Sequence, residues 1–272
     1  MGDIVGLRRK RPIGVFDSGI GGLSVVKELQ RLVPGEDIVY FGDTARLPYG
    51  TKSKETVVRF SCEIVRFLMR FHIKLGVVAC HTASSFSLPT LRRHFSIPIV
   101  GVVQPGARQA LALTRTGRIG ILGTRATVQS RSYEKEIKRL GPKVKVYSQS
   151  CPLFVPLVEE GHFNGDITHR IAKEYLMPMA HSGVDTVILG CTHYPLLHHV
   201  IGSVFGPKVK LVNSAQAVAW QVRDLLEAQN LLTNGREGHT RYFVSDEPRH
   251  FIKVGSLFLR DRIRSVRKVP HV

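Results

Sequence analysis

One series of strand-like segments occurs twice along this chain, in the same order. Apolar runs of strand length lie at 12–17, 37–43, 76–80 and 98–103, and similar runs follow roughly 110 residues later at 119–123, 144–147, 187–191 and 209–213. Segments of helical length separate them, and apolar residues recur at helical spacing in 53–71. Such alternation is typical of a parallel sheet covered by helices. The sequence therefore predicts an α/β protein made of two similar halves.

The C-terminal region adds a further piece to this pattern. A strand is predicted at 241–245 with a helix after it. We expect this piece to pack on the first half.

Charge and cysteine content narrow the function classes. The chain has 39 Lys and Arg against 21 Asp and Glu, a net charge of +18, which suits a nucleic acid or a small anionic substrate. The basic residues are scattered except at 8–11 and 260–268, and no nucleic-acid-binding motif accompanies them, so a nucleic-acid partner is disfavoured. No apolar run approaches the length of a membrane helix. Four cysteines without a CxxC pair indicate neither a disulfide scaffold nor zinc, and we expect a cytoplasmic protein.

Ligands of open α/β sheets bind beyond the carboxyl ends of the strands. The residues at those predicted ends are Asp17-Ser18-Gly19, Asp43-Thr44, Cys80-His81-Thr82, Gly123-Thr124 and Cys191-Thr192-His193. The glycines after Asp17 do not complete the GxGxxG dinucleotide motif, and GxxxxGK[ST] is absent. Nucleotide binding is therefore disfavoured, and we expect neither a cofactor nor a metal.

Two of the cysteines occupy equivalent positions. Cys80 and Cys191 each follow the third strand of their half, where a helix begins. A helix N-terminus lowers the pKa of a thiol. A lone cysteine at such a place is most often buried filler, but a matched pair suits inversion at carbon, which needs a base on one face of the substrate and an acid on the other. Cys62 and Cys151 have no such partnership, and we assign them to structure.

Six ordered motifs carry a family resemblance: FDSGIGGLSV (16–25), DTARLPYG (43–50), ACHTASS (79–85), GTRATVQSRSY (123–133), CPLFVPLVEEG (151–161) and GCTHYP (190–195). With them the chain resembles the glutamate racemases from about residue 12 to 260. The resemblance implies cofactor-independent interconversion of L- and D-glutamate for peptidoglycan synthesis. It also implies two domains related by pseudo-symmetry, 1–97 with 211–272 and 98–210, and an active site in the cleft between them. A homodimer is left open.

Matching the motifs residue by residue implies roles for individual side chains. Cys80 and Cys191 match the two acid/base thiols, and Asp17 and His193 match their polar assistants. The implied substrate-binding residues are Asp17, Ser18, Tyr49, Gly50, His81, Thr82, Thr124, Thr192 and His193.

His81 departs from the family pattern, which usually has asparagine after the first cysteine. A neutral imidazole can both donate and accept a hydrogen bond, as an amide does, whereas a cationic one would stabilise the Cys80 thiolate. The sequence leaves both states open.

The sequence also leaves open two other functions: a related racemase acting on aspartate, or a catalytically reduced binding or regulatory homologue whose basic surface contacts DNA.

Overall fold

A computed structural model describes residues 2–233 and 235–270. In chain order the helices are α1 (Gly2–Arg9), α2 (Leu23–Leu32), α3 (Lys54–Met69), α4 (His81–His94), α5 (Val103–Leu113), α6 (Arg125–Ser130), α7 (Ser132–Leu140), α8 (Phe154–Glu159), α9 (Asp166–Ala180), α10 (His198–Phe205), α11 (Ser214–Ala228) and α12 (Pro248–Leu259). The strands are β1 (Ile13–Asp17), β2 (Ile38–Gly42), β3 (Leu75–Val78), β4 (Ile99–Gly101), β5 (Arg118–Gly123), β6 (Lys145–Ser150), β7 (Thr186–Gly190), β8 (Lys210–Asn213), β9 (Thr240–Val244) and β10 (Arg267–Lys268). Short 3-10 turns lie at Tyr49–Thr51 and Tyr194–Leu197. None of the helices in the described ranges is long and apolar enough to cross a membrane.

The chain divides into two units, and each contains one parallel sheet. Unit 1 comprises the residues up to 102 and from 215 onward, and unit 2 comprises 103–214. The six-stranded sheet of unit 1 has the order β10-β9-β2-β1-β3-β4, and the four-stranded sheet of unit 2 has the order β6-β5-β7-β8. The order β2-β1-β3-β4 in unit 1 thus repeats in unit 2. This confirms the predicted α/β class with two similar parallel-sheet halves.

The unit boundaries lie a few residues beyond those at 97 and 210 expected from the sequence. Strand β4 pairs with β3, so it belongs to the first sheet rather than the second. Strand β8 pairs with β7 and is an edge strand of the second sheet. Each unit therefore keeps the fourth strand of its own series, and the chain passes between units after that strand.

The C-terminal piece belongs to unit 1, as predicted, and it also extends the first sheet. Strand β9 pairs with β2 in parallel register, with Ile38 opposite Thr240. The ring of Phe243 on β9 packs 5.4 Å from Phe67 and 5.1 Å from Phe71, which joins β9 to the aromatic core under the sheet. Strand β10 was not predicted, because its two exposed residues, Arg267 and Lys268, carry no apolar signal.

Candidate active site

Cys80 lies where β3 gives way to α4. It is the N-cap residue of that helix, and its Sγ accepts a hydrogen bond from the Ala83 N–H at 3.4 Å. The same sulfur lies 3.7 Å from Oγ of Ser18, to which the thiol can donate. A backbone N–H and the positive end of a helix dipole both favour a thiolate over a thiol. The position of Cys80 therefore suits a thiol that loses and regains a proton.

Asp17 ends the neighbouring strand β1 and is completely buried. Its Oδ2 accepts a hydrogen bond from the Gly19 N–H at 3.1 Å. The Tyr40 hydroxyl donates to the Gly19 carbonyl at 2.8 Å, and burial raises the pKa of Tyr40 well above its ordinary value, so this phenol stays protonated. A Cβ on Gly22 would lie 2.5 Å from Cβ of Asp17, so this turn approaches the carboxylate as closely as only glycine allows.

Tyr49 and Gly50 lie in the turn after β2, and the side chain of Tyr49 is buried. Its hydroxyl donates to Oδ2 of Asp43. Because the phenol is engaged there, the backbone of 49–50 is the part of this turn that is suited to contact a ligand.

His81 and Thr82 open helix α4, and both side chains are buried. Burial lowers the pKa of His81 from 6.5 to about 3, because a charged imidazolium would be poorly solvated there. The ring is therefore neutral across the physiological range. Of the two states that the sequence left open, the structure favours the neutral one.

The second thiol, that of Cys191, lies in unit 2 next to a histidine that is hydrogen-bonded to a glutamate. Cys191 follows β7, and its Sγ lies 3.8 Å from Nδ1 of His193. Nε2 of His193 lies 3.1 Å from Oε1 of Glu159. Burial opposes a charge on this imidazole, but the hydrogen bonds to Cys191 and Glu159 outweigh it and raise the pKa of His193 from 6.5 to about 10. An imidazolium next to a thiol favours the thiolate.

The two threonines predicted for this side lie in the same unit. Thr192 Oγ1 is 3.5 Å from Nδ1 of His193. Thr124 is the N-cap of α6, where its Oγ1 accepts from the Thr127 N–H at 3.2 Å. The structure thus brings Asp17, Ser18, Tyr49, Gly50, His81 and Thr82 into the unit of Cys80, and Thr124, Thr192 and His193 into the unit of Cys191.

The other two cysteines have different surroundings. Burial raises the pKa of the Cys62 thiol, and more strongly that of Cys151, so both favour the protonated form. In residues 2–233 and 235–270, no three His, Cys, Asp or Glu side chains cluster closely enough to hold a metal ion.

Neither Glu159 nor Ser245 was predicted as a functional residue. Glu159 contacts His193, and Ser245 donates to Oδ1 of Asp43 at 2.9 Å. Glu159 lies within the motif at 151–161, so a signal for it was present. Ser245 ends the strand predicted at 241–245, so the strand-end rule applied to the first four strands of each half could also have found it.

Four strands of each sheet share one order, and a thiol follows the third of them along the chain in both units. This placement suits an enzyme that inverts a carbon centre by proton transfer, which needs a base on one face and an acid on the other. Residues 13–222 match the model of the Asp/Glu/Hydantoin racemase family. The chain belongs to this family, and it is an amino-acid racemase.

The proteins that resemble this chain in sequence and in structure include glutamate racemases from several bacteria. The chain is 52% identical over 260 residues to a glutamate racemase of Geobacter metallireducens, covering 95% of this chain and 96% of the relative. It superposes on a glutamate racemase isoform of Bacillus anthracis with a TM-score of 0.94 and 38% identity, covering 97% and 100% of the two chains. It superposes on a glutamate racemase of Francisella tularensis, in complex with D-glutamate, with a TM-score of 0.91 and 37% sequence identity. That match covers 96% of this chain and 98% of the other.

Proposed function

We propose that this chain interconverts L- and D-glutamate by moving a proton at the α carbon between two thiols, Cys80 and Cys191. The observation that carries the proposal is their equivalent placement, because each thiol follows the third strand of a sheet with the same strand order. The glutamate racemases that resemble the chain support glutamate as the substrate. D-glutamate made in this way would enter peptidoglycan precursor synthesis in the cytoplasm.

On one face of the substrate, Cys191 acts with His193. The imidazolium stabilises the Cys191 thiolate, and Glu159 stabilises the imidazolium in turn. The thiolate removes the α proton and becomes a thiol, while the electron pair of the C–H bond remains on the substrate. The Cys80 thiol gives a proton to the opposite face and becomes a thiolate.

In the reverse direction the two thiols exchange roles. Cys80 is then the base, and the N-terminus of α4 with the Ala83 N–H stabilises its thiolate. We assign Asp17 as the polar assistant on this side. The two directions thus differ in the group that stabilises the thiolate base. At Cys80 this group is the backbone N–H of Ala83, and at Cys191 it is the imidazolium of His193.

Glutamate presents two carboxylates and one ammonium, so its binding site needs both donors and acceptors. The hydroxyls of Ser18, Thr82, Thr124 and Thr192 supply both, and the backbone of Tyr49-Gly50 adds further polar groups. Neutral His81 is able to donate one hydrogen bond to a carboxylate. We propose these residues, with Asp17 and His193, as the substrate-binding set.

The decisive experiment follows the circular dichroism of L-glutamate incubated with the purified protein without added cofactors. Decay of the signal towards zero supports the proposal, and a constant signal contradicts it. A parallel incubation with L-aspartate separates glutamate from aspartate as the substrate.

The same assay on cysteine variants tests the two-thiol mechanism. Cys80→Ala and Cys191→Ala should each abolish racemisation, while Cys62→Ala, the matched control, should retain it. In deuterated solvent the single remaining thiol should still exchange the α proton slowly in one enantiomer only. Near-normal turnover by either active-site variant would remove the mechanism.

A further inference from the structure

The turn between β2 and α3 is built around one buried carboxylate. Asp43 is fully buried at the carboxyl end of β2. Its carboxylate accepts hydrogen bonds from Nε of Arg46 at 2.7 Å, from Oγ of Ser245 at 2.9 Å and from the hydroxyl of Tyr49. A buried charge is stable only when it is paired and hydrogen-bonded. These three donors supply that stabilisation, and two of them belong to the turn itself.

The third donor comes from the far end of the chain. Ser245 follows β9, and its N–H donates to the carbonyl of Gly42 at 3.1 Å, next to Asp43. Its Oγ accepts from the Ala45 N–H at 2.8 Å while it donates to Asp43. One hydroxyl therefore connects the carboxylate to the backbone of the turn.

A second contact fixes the same segment. The Asp246 N–H donates to Oγ1 of Thr44 at 2.9 Å, and that hydroxyl donates to the carbonyl of Asp246. Arg46 is held on its other side by Glu63 and lies 4.0 Å above the ring of Phe60. Residues 43–48 contain no helix or strand, and one backbone hydrogen bond, from the Arg46 N–H to the Asp43 carbonyl at 3.1 Å, closes the turn. These side-chain contacts add to that bond in holding the segment.

The turn ends in Tyr49 and Gly50, which the proposed function places against the substrate. The hydroxyl of Tyr49 is bonded to Asp43, so the position of the 49–50 backbone depends on that carboxylate. Asp43 in turn depends on Ser245. The contacts form one continuous path from the end of β9 to the substrate-binding turn.

We propose that Asp43 and Ser245 are positioning residues for substrate binding, and that they act through the hydroxyl of Tyr49. The inference rests on the proposed function. Asp43 and Ser245 set the backbone of 49–50. The link from Asp43 to β1 is a backbone hydrogen bond, its N–H donating to the Asp17 carbonyl at 3.1 Å, and substitution of either side chain leaves that bond in place. Their loss should therefore weaken glutamate binding and leave the proton-transfer step almost intact.

The experiment compares KM and kcat for both enantiomers in the wild type, Ser245→Ala, Tyr49→Phe and the double variant. Ser245→Ala should raise KM about tenfold and change kcat less than about twofold, since about tenfold is near the lower end expected for losing one hydrogen bond to a charged group. Tyr49→Phe should act in the same direction. Because both changes interrupt one path, the double variant should be no worse than the more affected single variant.

A matched control separates positioning from general destabilisation. Ser61 is also a buried serine of unit 1, and its Oγ donates to the Val57 carbonyl at 2.7 Å, within helix α3, and does not bond to Asp43. Ser61→Ala should lower the melting temperature without raising KM. If Ser245→Ala does not fold, Asp43→Asn replaces it, because the amide keeps the volume and removes the charge.

The outcomes distinguish this inference from the proposed function. An unchanged KM in Ser245→Ala, or fully additive effects in the double variant, would overturn the inference while the racemase activity of the wild type stands. A wild type that does not racemise glutamate would remove the proposed function and this inference together.

Discussion

The imidazole of His193 lies between Glu159 and a thiol, with Nε2 3.1 Å from the carboxylate of Glu159. This contact is one reason why the pKa of His193 is raised from 6.5 to about 10. The unfolded chain releases the proton near pH 6.5 and the folded chain near pH 10. The stability due to this charge is therefore complete below pH 6.5 and is lost as the pH rises towards 10.

Glu159→Gln should narrow the pH range of activity on its alkaline side. The amide keeps the shape but not the charge, so the pKa of His193 falls and the imidazolium is lost at a lower pH. At pH 9 we expect kcat/KM to drop about tenfold relative to wild type in the direction in which Cys191 is the base, and by less at pH 7. Profiles of kcat/KM against pH, recorded with L-glutamate and with D-glutamate as the substrate, measure this loss of activity.

The adjacent Glu160 provides the control for that experiment. Its side chain is exposed, and Glu160→Gln removes the same charge one residue away. Its pH profile should match that of wild type. An alkaline limb that stays in place in Glu159→Gln would mean that Glu159 does not support the charge on His193.

The pattern of the sequence predicted the strand ends well and the contacts between them poorly. The placement of Cys80 and Cys191 after strands was predictable because buried strands alternate with helices, and that period is local in the sequence. The pairing of Glu159 with His193 joins residues 34 apart, and that of Ser245 with Asp43 joins residues 202 apart. Such contacts depend on how elements pack, which periodicity does not encode. The neutral state of His81 likewise depends on its burial.

His81→Asn should change the acid stability of the protein more than its catalysis. The pKa of His81 is lowered from 6.5 to about 3, so on acidification the unfolded chain takes up a proton near 6.5 that the folded chain refuses. Between pH 7 and pH 5 this costs the wild type about 2 kcal/mol of unfolding free energy. The variant should not show that loss, and denaturant unfolding at both pH values measures it.

Activity supplies the second readout for the same variant. Asparagine donates and accepts as neutral imidazole does, so kcat/KM near pH 7 should stay within about tenfold of wild type. The acid limb of the pH profile should not move, since His81 is already neutral there. His250→Asn, an exposed position of unit 1, is the control and should leave the unfolding free energy nearly unchanged. A shifted acid limb in His81→Asn would show that His81 carries a charge in the working enzyme.

Gly22→Ala tests how closely the turn after β1 must approach Asp17. The backbone at Gly22 has φ −61° and ψ −13°, which alanine adopts readily, so only the added methyl group matters. That Cβ would lie 2.5 Å from Cβ of Asp17 and 2.9 Å from the hydroxyl of Tyr40. Overpacking of this kind costs about 1–3 kcal/mol of stability. It should also displace the Asp17 carboxylate and lower kcat/KM more than tenfold, about 1.4 kcal/mol.

Gly76→Ala is the matched substitution in the same sheet. Its added Cβ would be 3.5 Å from Ile99, an ordinary contact, so the melting temperature and kcat/KM should both remain close to wild type. Thermal unfolding followed by circular dichroism and initial rates of racemisation compare the two variants. If Gly22→Ala lost stability yet kept the kcat/KM of wild type, the position of Asp17 would matter to the fold alone, and its assignment as the assistant of Cys80 would fail.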